Sequence, residues 1–363
     1  MKAKKHVNKT IIFSLILFFI ISILSVYSTL DFLAFNQNIF VKQIIFYIVG
    51  FFIVFVMIKC DISKILKYSL YIYILNVLLL IYVLLFGDVI NGSRAWIKLP
   101  FFGSFQPSEF MKIGLILYLA WVICKNVNEG KKDIIIILKS VLIFLIPTIF
   151  TFLEPDTGAV LIYFIITLSM LFVSGINKRW FLLLFALVIL IFSGVTFLFL
   201  REKELFIDIF GSNFFYRFDR IFDWSTSSGM QLENSVISIA SAGIFGHGFN
   251  NIPLYFPELQ TDFIFASFVS CYGIIGATVL FVIFIIFDNE ILKIGYEKKL
   301  EIKLIATGIF AVLIYQQIQN TAMTIGVLPI TGITLPFISY GGSSLISFMI
   351  LIGIILNAGI NMD

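Results

Sequence analysis

The sequence predicts an all-α polytopic membrane protein in which about ten transmembrane helices form one domain over residues 1–363. Hydrophobic residues make up 60% of the chain and charged residues 13%, about half the charged share of a typical soluble domain. The mean hydropathy is +1.06. Apolar runs of the roughly 20 residues that a membrane helix needs follow one another along most of the chain. They lack the two-residue alternation of barrel strands.

Ten apolar segments can be placed along the chain. They run over Thr10–Leu30, Gln43–Ile58, Tyr68–Phe86, Phe105–Cys124, Ile134–Leu153, Thr157–Ser174, Trp180–Leu200, Phe263–Phe287, Leu304–Ile325 and Leu335–Leu356. The first has a longer apolar core than a signal peptide and no Ala-x-Ala-like cleavage site. We therefore expect it to remain in the protein as a membrane helix.

Lysine and arginine are distributed unevenly between the two sets of loops. With the amino terminus placed in the cytoplasm, sixteen of the 25 Lys and Arg residues fall in cytoplasmic segments and six in outer segments. Because cytoplasmic loops carry the excess of positive charge, both termini are predicted to be cytoplasmic. The one long extramembrane segment, 201–262, then lies outside, and its many aromatic residues indicate a folded loop.

Composition also argues against several functional classes. The chain has only two histidines, His6 and His247, which argues against a multi-His metal site and against a His-based catalytic triad. The three cysteines, Cys60, Cys124 and Cys271, have no metal-ligand spacing and argue against a disulfide framework. The net charge of +4 is small, and its distribution does not indicate binding to nucleic acid.

The first polar cluster precedes and opens the fourth segment. Pro107 and Glu109 fit the first turn of a helix, and Lys112 lies on the same face as Glu109. A capped helix with a local ion pair would explain these residues. Ionisable residues at a membrane boundary are costly and usually functional, so a functional interpretation stays open beside it. Arg94, in the outer segment before this helix, belongs to the same cluster.

Two clusters lie further along the outer side. Asp156 stands in a short turn between two predicted helices, where it could cap the second helix or belong to a site. Arg217 and Arg220 lie in the long loop. They could bind phosphate through paired hydrogen bonds, or they could simply pair with Asp219 and Asp223.

The last two clusters accompany the final three segments. Asp262, with Glu258 shortly before it, stands where the polar loop meets a strongly apolar helix. A carboxylate there loses solvation, which raises its pKa and makes it a better proton acceptor, although it could equally cap the helix. Residues 326–344, which include Ser343, contain two prolines among the small residues. This pattern predicts a broken, re-entrant backbone that is buried in protein or lines a cavity.

Taken together and in order, these clusters resemble the signature of the SEDS family, the group of RodA, FtsW and SpoVE, over nearly the whole chain. Three motifs carry the resemblance: Gln106-Pro107-Ser108-Glu109, Thr261-Asp262-Phe263-Ile264-Phe265 and Pro336-Phe337-Ile338-Ser339-Tyr340-Gly341-Gly342-Ser343-Ser344. The resemblance implies the SEDS fold with a large extracytoplasmic loop. It also implies a peptidoglycan glycosyltransferase of the bacterial cytoplasmic membrane that polymerises lipid II on the outer face.

The resemblance further implies roles for individual residues. The essential acid of the family falls on Asp262, which would be the catalytic residue. The residues expected to bind substrate, by resemblance or, for Arg220, by charge, are Glu109, Lys112, Arg94, Asp156, Arg217, Arg220, Glu258 and Ser343. A bound Mg²⁺ or Mn²⁺ would suit a pyrophosphate leaving group, but no sequence feature requires one and its ligands are unknown. The implied partners are lipid II, membrane lipid and a class B penicillin-binding protein transpeptidase.

Two other functions stay open at this point. A lipid II flippase would need a polar path to the cytoplasmic face, whereas few charges lie in the inner halves of the predicted helices. A non-catalytic scaffold for a transpeptidase would not need Asp262 or Glu109. Within the family, residues 323–332 look more like the elongation (RodA) branch, and the division and sporulation branches stay open as well.

Overall fold

The computed structural model describes residues 7–32, 38–90, 93–99, 103–212, 214–215, 229–296 and 298–361. As predicted, it is built mainly from helices. They are α1 (Lys9–Tyr27), α2 (Asn38–Lys59), α3 (Ile62–Lys67), α4 (Ser69–Phe86), α5 (Pro107–Asn128), α6 (Asp133–Leu153), α7 (Thr157–Val173), α8 (Arg179–Arg201), α9 (Lys203–Phe210), α10 (Gly229–Ser241), α11 (Ile264–Tyr296), α12 (Leu300–Thr324) and α13 (Gly342–Asn361).

Each of the ten predicted apolar segments overlaps a described helix. Nine of the described helices are long and apolar enough to cross a membrane, and α7 is a shorter apolar helix of 17 residues. Local chemistry explains where individual helices begin. Pro107 occupies the start of α5, where its missing N–H costs nothing, and Asn8 caps α1 by accepting hydrogen bonds from the N–H groups of Thr10 and Ile11.

Helices α5 and α13 lie at the centre of the bundle. In each of them 72% of the apolar span is buried, and in α12 the share is 61%. Helix α8 is the opposite case, because Phe199, near its end, is its one residue that the described part of the chain buries. Polar residues in the buried spans of α5, α12 and α13 are therefore surrounded by other helices.

A small antiparallel sheet fills the connection between α4 and α5. Its strands, in the order β1-β2-β3, are β1 (Asp88–Ile90), β2 (Ser93–Leu99) and β3 (Gly103–Phe105). The sequence pattern predicts no strand here and a fourth helix that starts at Phe105, so both points are corrected. β1 and β3 have only three residues each, and β2 does not alternate apolar and polar residues, so none of the three gives the two-residue pattern of a strand.

Helix α11 contains a sharp break at Gly273, where φ is 63° and ψ is −161°. The rings of Phe265 and Phe281 lie 5.7 Å apart, whereas a straight helix would separate these positions by about 24 Å. The two halves of α11 therefore fold back on each other. The prediction of an unbroken helix over Phe263–Phe287 is corrected on this point.

A loop from earlier in the chain, residues 243–248, satisfies the backbone groups at this break. The N–H of Ile274 donates to the carbonyl of Gly243, and the N–H of His247 donates to the carbonyl of Ser270. The break thus depends on hydrogen bonds from residues that are distant in sequence. Local periodicity contains no signal for them.

Residues 325–341, which we call the connecting segment, join α12 to α13 without helical structure. The predicted non-helical backbone is confirmed. The final helix begins at Gly342 and not at Leu335, as the apolar pattern suggested, because the segment with the two prolines is not helical.

Side chains from α1 and α2 hold the buried part of the connecting segment. Ser22 Oγ donates to the carbonyl of Ile338 at 2.8 Å, and Gln43 Nε2 donates to the carbonyl of Ser339 at 3.2 Å. Buried backbone carbonyls need such partners when no regular structure supplies them. The polar residues of these two apolar helices therefore serve the segment beside them.

Candidate active site

Glu109 and Lys112 form an ion pair on the first turns of α5. Lys112 Nζ lies 2.6 Å from Glu109 Oε2, and the lysine side chain is only 1% exposed. Helix α13 completes the surroundings. Ser347 Oγ donates to Glu109 Oε2 at 3.3 Å, and Lys112 Nζ lies 4.7 Å from the centre of the Phe348 ring. The local ion pair suggested by the sequence is present, and it is buried between two central helices.

Asp156 links the start of α7 to the start of α5. Its Oδ1 accepts a hydrogen bond from the N–H of Ala159 at 3.0 Å, so it caps α7 as one interpretation of the sequence suggested. Its Oδ2 accepts from Gln106 Nε2 at 3.1 Å and from Ser108 Oγ at 3.0 Å. Burial raises the pKa of Asp156, while these hydrogen bonds oppose the increase. Asp156 is therefore both a helix cap and a link between two helices.

Ser343 forms the matching link to α13. The N–H of Gln106 donates to Ser343 Oγ at 3.0 Å, and Ser343 Oγ donates to the carbonyl of Ser104 in β3 at 3.2 Å. The starts of α5, α7 and α13 are thus joined by Gln106 and its partners. In this structure the Ser343 hydroxyl is used in holding these elements together.

Asp262 ends a tightly folded loop, two residues before α11 begins. Within this loop Thr261 Oγ1 donates to Glu258 Oε2 at 2.6 Å, and the N–H of Phe263 donates to the carbonyl of Glu258 at 3.1 Å. The carboxylate of Asp262 accepts no hydrogen bond from any described residue, so it does not cap α11. It is half-buried, and its oxygens are available to bind a substrate group or accept a proton.

Burial raises the pKa of Asp262 to about 7, and the neighbouring carboxylate of Glu258 adds to the increase. The sequence-based expectation that desolvation raises the pKa at this position is therefore confirmed. A general base is most effective when its pKa lies near the working pH. At neutral pH, Asp262 can accept a proton and release it again.

The connecting segment brings Asp262 close to the start of α7. A Cβ atom at Gly332 would lie 3.6 Å from Asp262 Oδ2. One residue earlier in the segment, the carbonyl oxygen of Thr331 would lie 3.2 Å from a Cβ atom at Gly158, in the first turn of α7. The connecting segment therefore contacts both Asp262 and the first turn of α7, the helix that Asp156 caps.

Within the part of the chain that it describes, the structure does not show any of the predicted arginines in contact with the polar residues above. Arg94 is exposed on β2 and makes no hydrogen bond or ion pair within the described part of the chain. Its neighbour Ser93 donates through Oγ to the carbonyl of Glu154, which anchors β2 to the turn before α7. Arg217 and Arg220 lie outside the described residues, and their role stays a prediction.

Glu154 is a buried acid that was not predicted as a site residue. Its side chain is 0% exposed, and neither carboxylate oxygen has a hydrogen-bond partner among the described residues. Burial raises its pKa to about 9, with a further contribution from Asp156. An acid at the end of an apolar run was the available signal, but its burial follows from the packing of the neighbouring elements.

Asn320, on α12, was also not selected. It is fully buried, and its Nδ2 donates to the carbonyls of Asp262 and Ile333, each at 2.7 Å. The signal in the sequence was the polar run 316–320 within an otherwise apolar helix. Polar residues at such positions are usually retained for a purpose.

The described residues do not provide a metal site. No group of three or more Asp, Glu, His or Cys side chains among them could hold a metal ion. Glu109 is paired with Lys112, and Asp156 already accepts three hydrogen bonds. The suggested Mg²⁺ or Mn²⁺ stays a prediction, and no reaction step is assigned to it.

Comparisons with known proteins agree with this architecture. The model of the family described as "Cell cycle protein", which covers FtsW, RodA and SpoVE, matches residues 6–362. The probable peptidoglycan glycosyltransferase FtsW of Wigglesworthia glossinidia brevipalpis is 33% identical over 99% of this chain and 96% of its own length. The peptidoglycan glycosyltransferase MrdB of Helicobacter pylori (strain ATCC 700392 / 26695) is 32% identical over 87% of this chain and 82% of its own.

Solved structures show the same fold. The rod shape determining protein RodA of Thermus thermophilus superimposes with a TM-score of 0.71 at 23% identity, over 98% of each chain. A chain from the work described as "Structural coordination of polymerization and crosslinking by a peptidoglycan synthase complex" gives a TM-score of 0.81 at 24% identity, over 97% of each chain. The predicted polytopic helical fold is therefore confirmed.

Proposed function

This chain belongs to the FtsW, RodA and SpoVE family of cell cycle proteins, and on that premise we propose that it is a peptidoglycan glycosyltransferase that polymerises lipid II. Its relatives from two bacteria carry the name of this activity. The observation that supports the proposal most strongly is the carboxylate of Asp262. It is half-buried, accepts no hydrogen bond from the described residues and has a pKa of about 7.

Asp262 is the general base of the proposed reaction. It takes the proton from the 4-hydroxyl of the acceptor sugar while that oxygen bonds to the anomeric carbon of the donor. The bond from this carbon to the pyrophosphate oxygen breaks, and its electron pair leaves with undecaprenyl pyrophosphate. The attack comes from the opposite face, so the configuration is inverted. Asp262 then returns its proton to solvent, which a pKa of about 7 permits.

Negative charge develops on the leaving pyrophosphate and has to be stabilised where it forms. Lys112 is buried and paired with Glu109, so its proposed contribution is the shape and field of the site. Arg94 is exposed and suits direct contact with phosphate. Arg217 and Arg220 are proposed for the same role on the basis of the sequence.

The remaining predicted residues are proposed to keep the site in shape. Asp156 and Ser343 join the starts of three helices through the hydrogen bonds described above. Glu258 lies beside Asp262 and raises its pKa further. Substrate would contact these residues only through atoms that do not already take part in these hydrogen bonds.

We place the enzyme in the bacterial cytoplasmic membrane with both termini inside and Asp262 on the outer side. This is supported by the larger number of Lys and Arg residues in the loops at the opposite end of the bundle. The lipid tails of the substrate would lie against apolar helix surfaces. A class B penicillin-binding protein is the proposed partner, and residues 323–332 favour a role in elongation.

Polymerisation of purified lipid II by the purified protein tests the proposal. Wild type and Asp288→Asn should form glycan strands, and Asp262→Asn and Asp262→Ala should not. Asp288 is a control because it is a buried aspartate of α11, the helix that follows Asp262; it is 4% exposed and has its own partner, Gln317, at 3.4 Å. Full activity of Asp262→Asn would refute the base assignment. Absence of strands from wild type, with a transpeptidase and divalent cation present, would refute the polymerase.

A further inference from the structure

Asn320 joins the loop that ends at Asp262 to the connecting segment. Its side chain is 0% exposed, and its single amide nitrogen donates one hydrogen bond to the carbonyl of Asp262 and one to the carbonyl of Ile333. Buried backbone carbonyls have to be paired, and here one side chain pairs two from separate parts of the chain. The alignment of the loop with the connecting segment therefore depends on Asn320.

This alignment determines what the carboxylate of Asp262 faces. Gly332 directly precedes Ile333, and a Cβ atom at Gly332 would lie 3.6 Å from Asp262 Oδ2. The connecting segment contains no Asp, Glu, Lys, Arg or His. The carboxylate is thus held against uncharged backbone, which removes water from it without supplying an opposite charge.

Other hydrogen bonds attach the loop nearby but do not include Asp262. Ser339 Oγ donates to the carbonyl of Thr261 at 2.7 Å, and the N–H of Tyr340 donates to the carbonyl of Gln260 at 2.8 Å. These contacts keep the loop on the connecting segment. Asn320 instead bonds the residue that carries the carboxylate, and it does so from a rigid central helix.

We propose that Asn320 is a positioning residue for glycosyl transfer, because its amide group fixes the backbone of Asp262 against the connecting segment and so fixes the place and hydration of the carboxylate. The inference rests on the proposed role of Asp262 as the base. Asn320 does not contact substrate in this scheme, since its side chain is 0% exposed and both of its N–H groups are engaged by carbonyls.

Among the residues that the structure describes, few ionisable groups face Asp262, which makes the pH dependence of the reaction informative. Glu258 is the charged neighbour in its own loop. Asp156 lies two residues before Gly158, whose Cβ position is 3.2 Å from the carbonyl oxygen of Thr331 in the connecting segment. Tyr340 is the titratable residue of the connecting segment, and the two charged residues of α12 lie in its first turn, at the far end of the helix. A change in the hydration of Asp262 should therefore appear as a shift of the acid limb.

Asn357, on α13, provides a matched control at the opposite end of the bundle. It is also 0% exposed, and its Nδ2 lies within hydrogen-bond distance of the carbonyls of Met57, Ile58 and Cys60, at 2.7, 3.0 and 2.5 Å. Replacing it by alanine removes the same type of buried amide from the same type of backbone contact. Any effect of lost stability alone should appear in both variants.

The experiment measures kcat, KM and the pH profile of lipid II polymerisation for wild type, Asn320→Ala, Asn357→Ala and Asp262→Asn, with thermal unfolding of each in detergent. For Asn320→Ala we expect kcat to fall by at least about tenfold with KM changed less than about threefold, as for a small misplacement of a reacting group. We expect its acid limb to move to lower pH by at least about half a unit, because better hydration favours the ionised carboxylate. Asn357→Ala should keep the wild-type profile.

Two results would overturn the inference and are distinguishable. An unchanged acid limb in Asn320→Ala, with kcat reduced no more than in Asn357→Ala, would mean that Asn320 has a structural role only. If Asp262→Asn were active, Asp262 would not be the base, and a positioning role for Asn320 would have no basis. If Asn320→Ala does not fold, Asn320→Gln keeps both donors on a longer stem. Asn320→Gln should then show the loss of kcat and the move of the acid limb to lower pH that are expected of Asn320→Ala. A wild-type pH profile of Asn320→Gln would refute the proposal.

Discussion

Lys112 Nζ lies 2.6 Å from Glu109 Oε2, and helix α13 covers both side chains. The partners are three residues apart on one helix, so the pair can form together with α5. Burial then removes water from both charges. Removing one partner leaves a buried charge without compensation, which costs more than the intact pair contributes.

We therefore expect Glu109→Gln and Lys112→Met each to lower the free energy of unfolding by about 3–5 kcal/mol, and the double variant to lower it by less than the sum. A double-mutant cycle on the purified protein measures this coupling. The control is the pair Glu290 and Lys293, which has the same spacing and the same 2.6 Å distance but a lysine that is 70% exposed. Its coupling should be about 0–1 kcal/mol, and equal coupling in both pairs would contradict the argument.

The pKa of about 7 at Asp262 predicts the pH dependence of the activity. The base has to be ionised, so the rate should rise with pH through about 7 and level off above it. Measurement of kcat/KM between pH 5 and 9 tests this. An acid limb near the ordinary carboxylate range of about 4 would show that the group seen in the kinetics is not a desolvated Asp262.

The same shift predicts an effect on stability with a definite sign. Folding raises the pKa of Asp262, so the stability that it contributes is fully present below the unfolded value of about 4 and is lost as the pH rises through about 7. Asp262→Asn should therefore be inactive and, at pH 8, more resistant to thermal unfolding than wild type. Lower stability of this variant at pH 8 would contradict the desolvation of the carboxylate.

Glu154 should function as a neutral acid, because burial raises its pKa to about 9. Glu154→Gln preserves the shape and the neutral charge, so we expect activity at pH 7 within about threefold of wild type, a difference under about 1 kcal/mol. The free energy of unfolding should also depend on pH differently in the wild type and in Glu154→Gln. The wild type loses the contribution of Glu154 as the pH rises through about 9, whereas the glutamine variant does not.

Unfolding temperatures between pH 7 and 10 measure this difference. Glu129→Gln is the control, since Glu129 is 43% exposed and its change should leave the curve unaltered. A large loss of activity in Glu154→Gln at pH 7 would indicate that Glu154 acts as an ionised group.

Gly273 should not tolerate a side chain. A Cβ atom there would lie 2.4 Å from the carbonyl oxygen of Ile244, and the backbone has a φ of 63°. Gly273→Ala should therefore lower the free energy of unfolding by about 1–3 kcal/mol or more. Gly194→Ala in α8 is the control, because nothing lies within 4 Å of its Cβ position and alanine favours a helix. Equal stability of both variants would contradict the described break.

The membrane segments were predictable because each is a long apolar run, and length and hydropathy suffice to identify such a helix. Asp262 and Glu109 were also predictable, since charges beside apolar segments are conspicuous and their motifs resemble a known family. The sheet β1-β2-β3 was not, because β1 and β3 have three residues each and β2 does not alternate apolar and polar residues.

The break at Gly273 and the role of Asn320 were missed for a different reason. Both depend on hydrogen bonds between residues that are far apart in the sequence, such as His247 with Ser270 and Asn320 with Asp262. Hydropathy treats the residues around Gly273 as one continuous apolar run. Only the folded chain shows which carbonyls lie within reach of which donors.

The lack of burial along α8 has a consequence for the way in which the protein sits in a bilayer. A helix of 23 residues is about 34 Å long, slightly more than the roughly 30 Å hydrocarbon layer. Within the described residues α8 is packed mainly near its two ends, where Phe181 contacts Phe172 of α7 and Phe199 contacts Phe206 of α9, and most of the span between them is exposed. Lipid thickness therefore has more influence on the tilt of α8 than on the tilt of the packed central helices. Among the membrane helices, α8 should therefore be the one whose inclination follows lipid composition most closely.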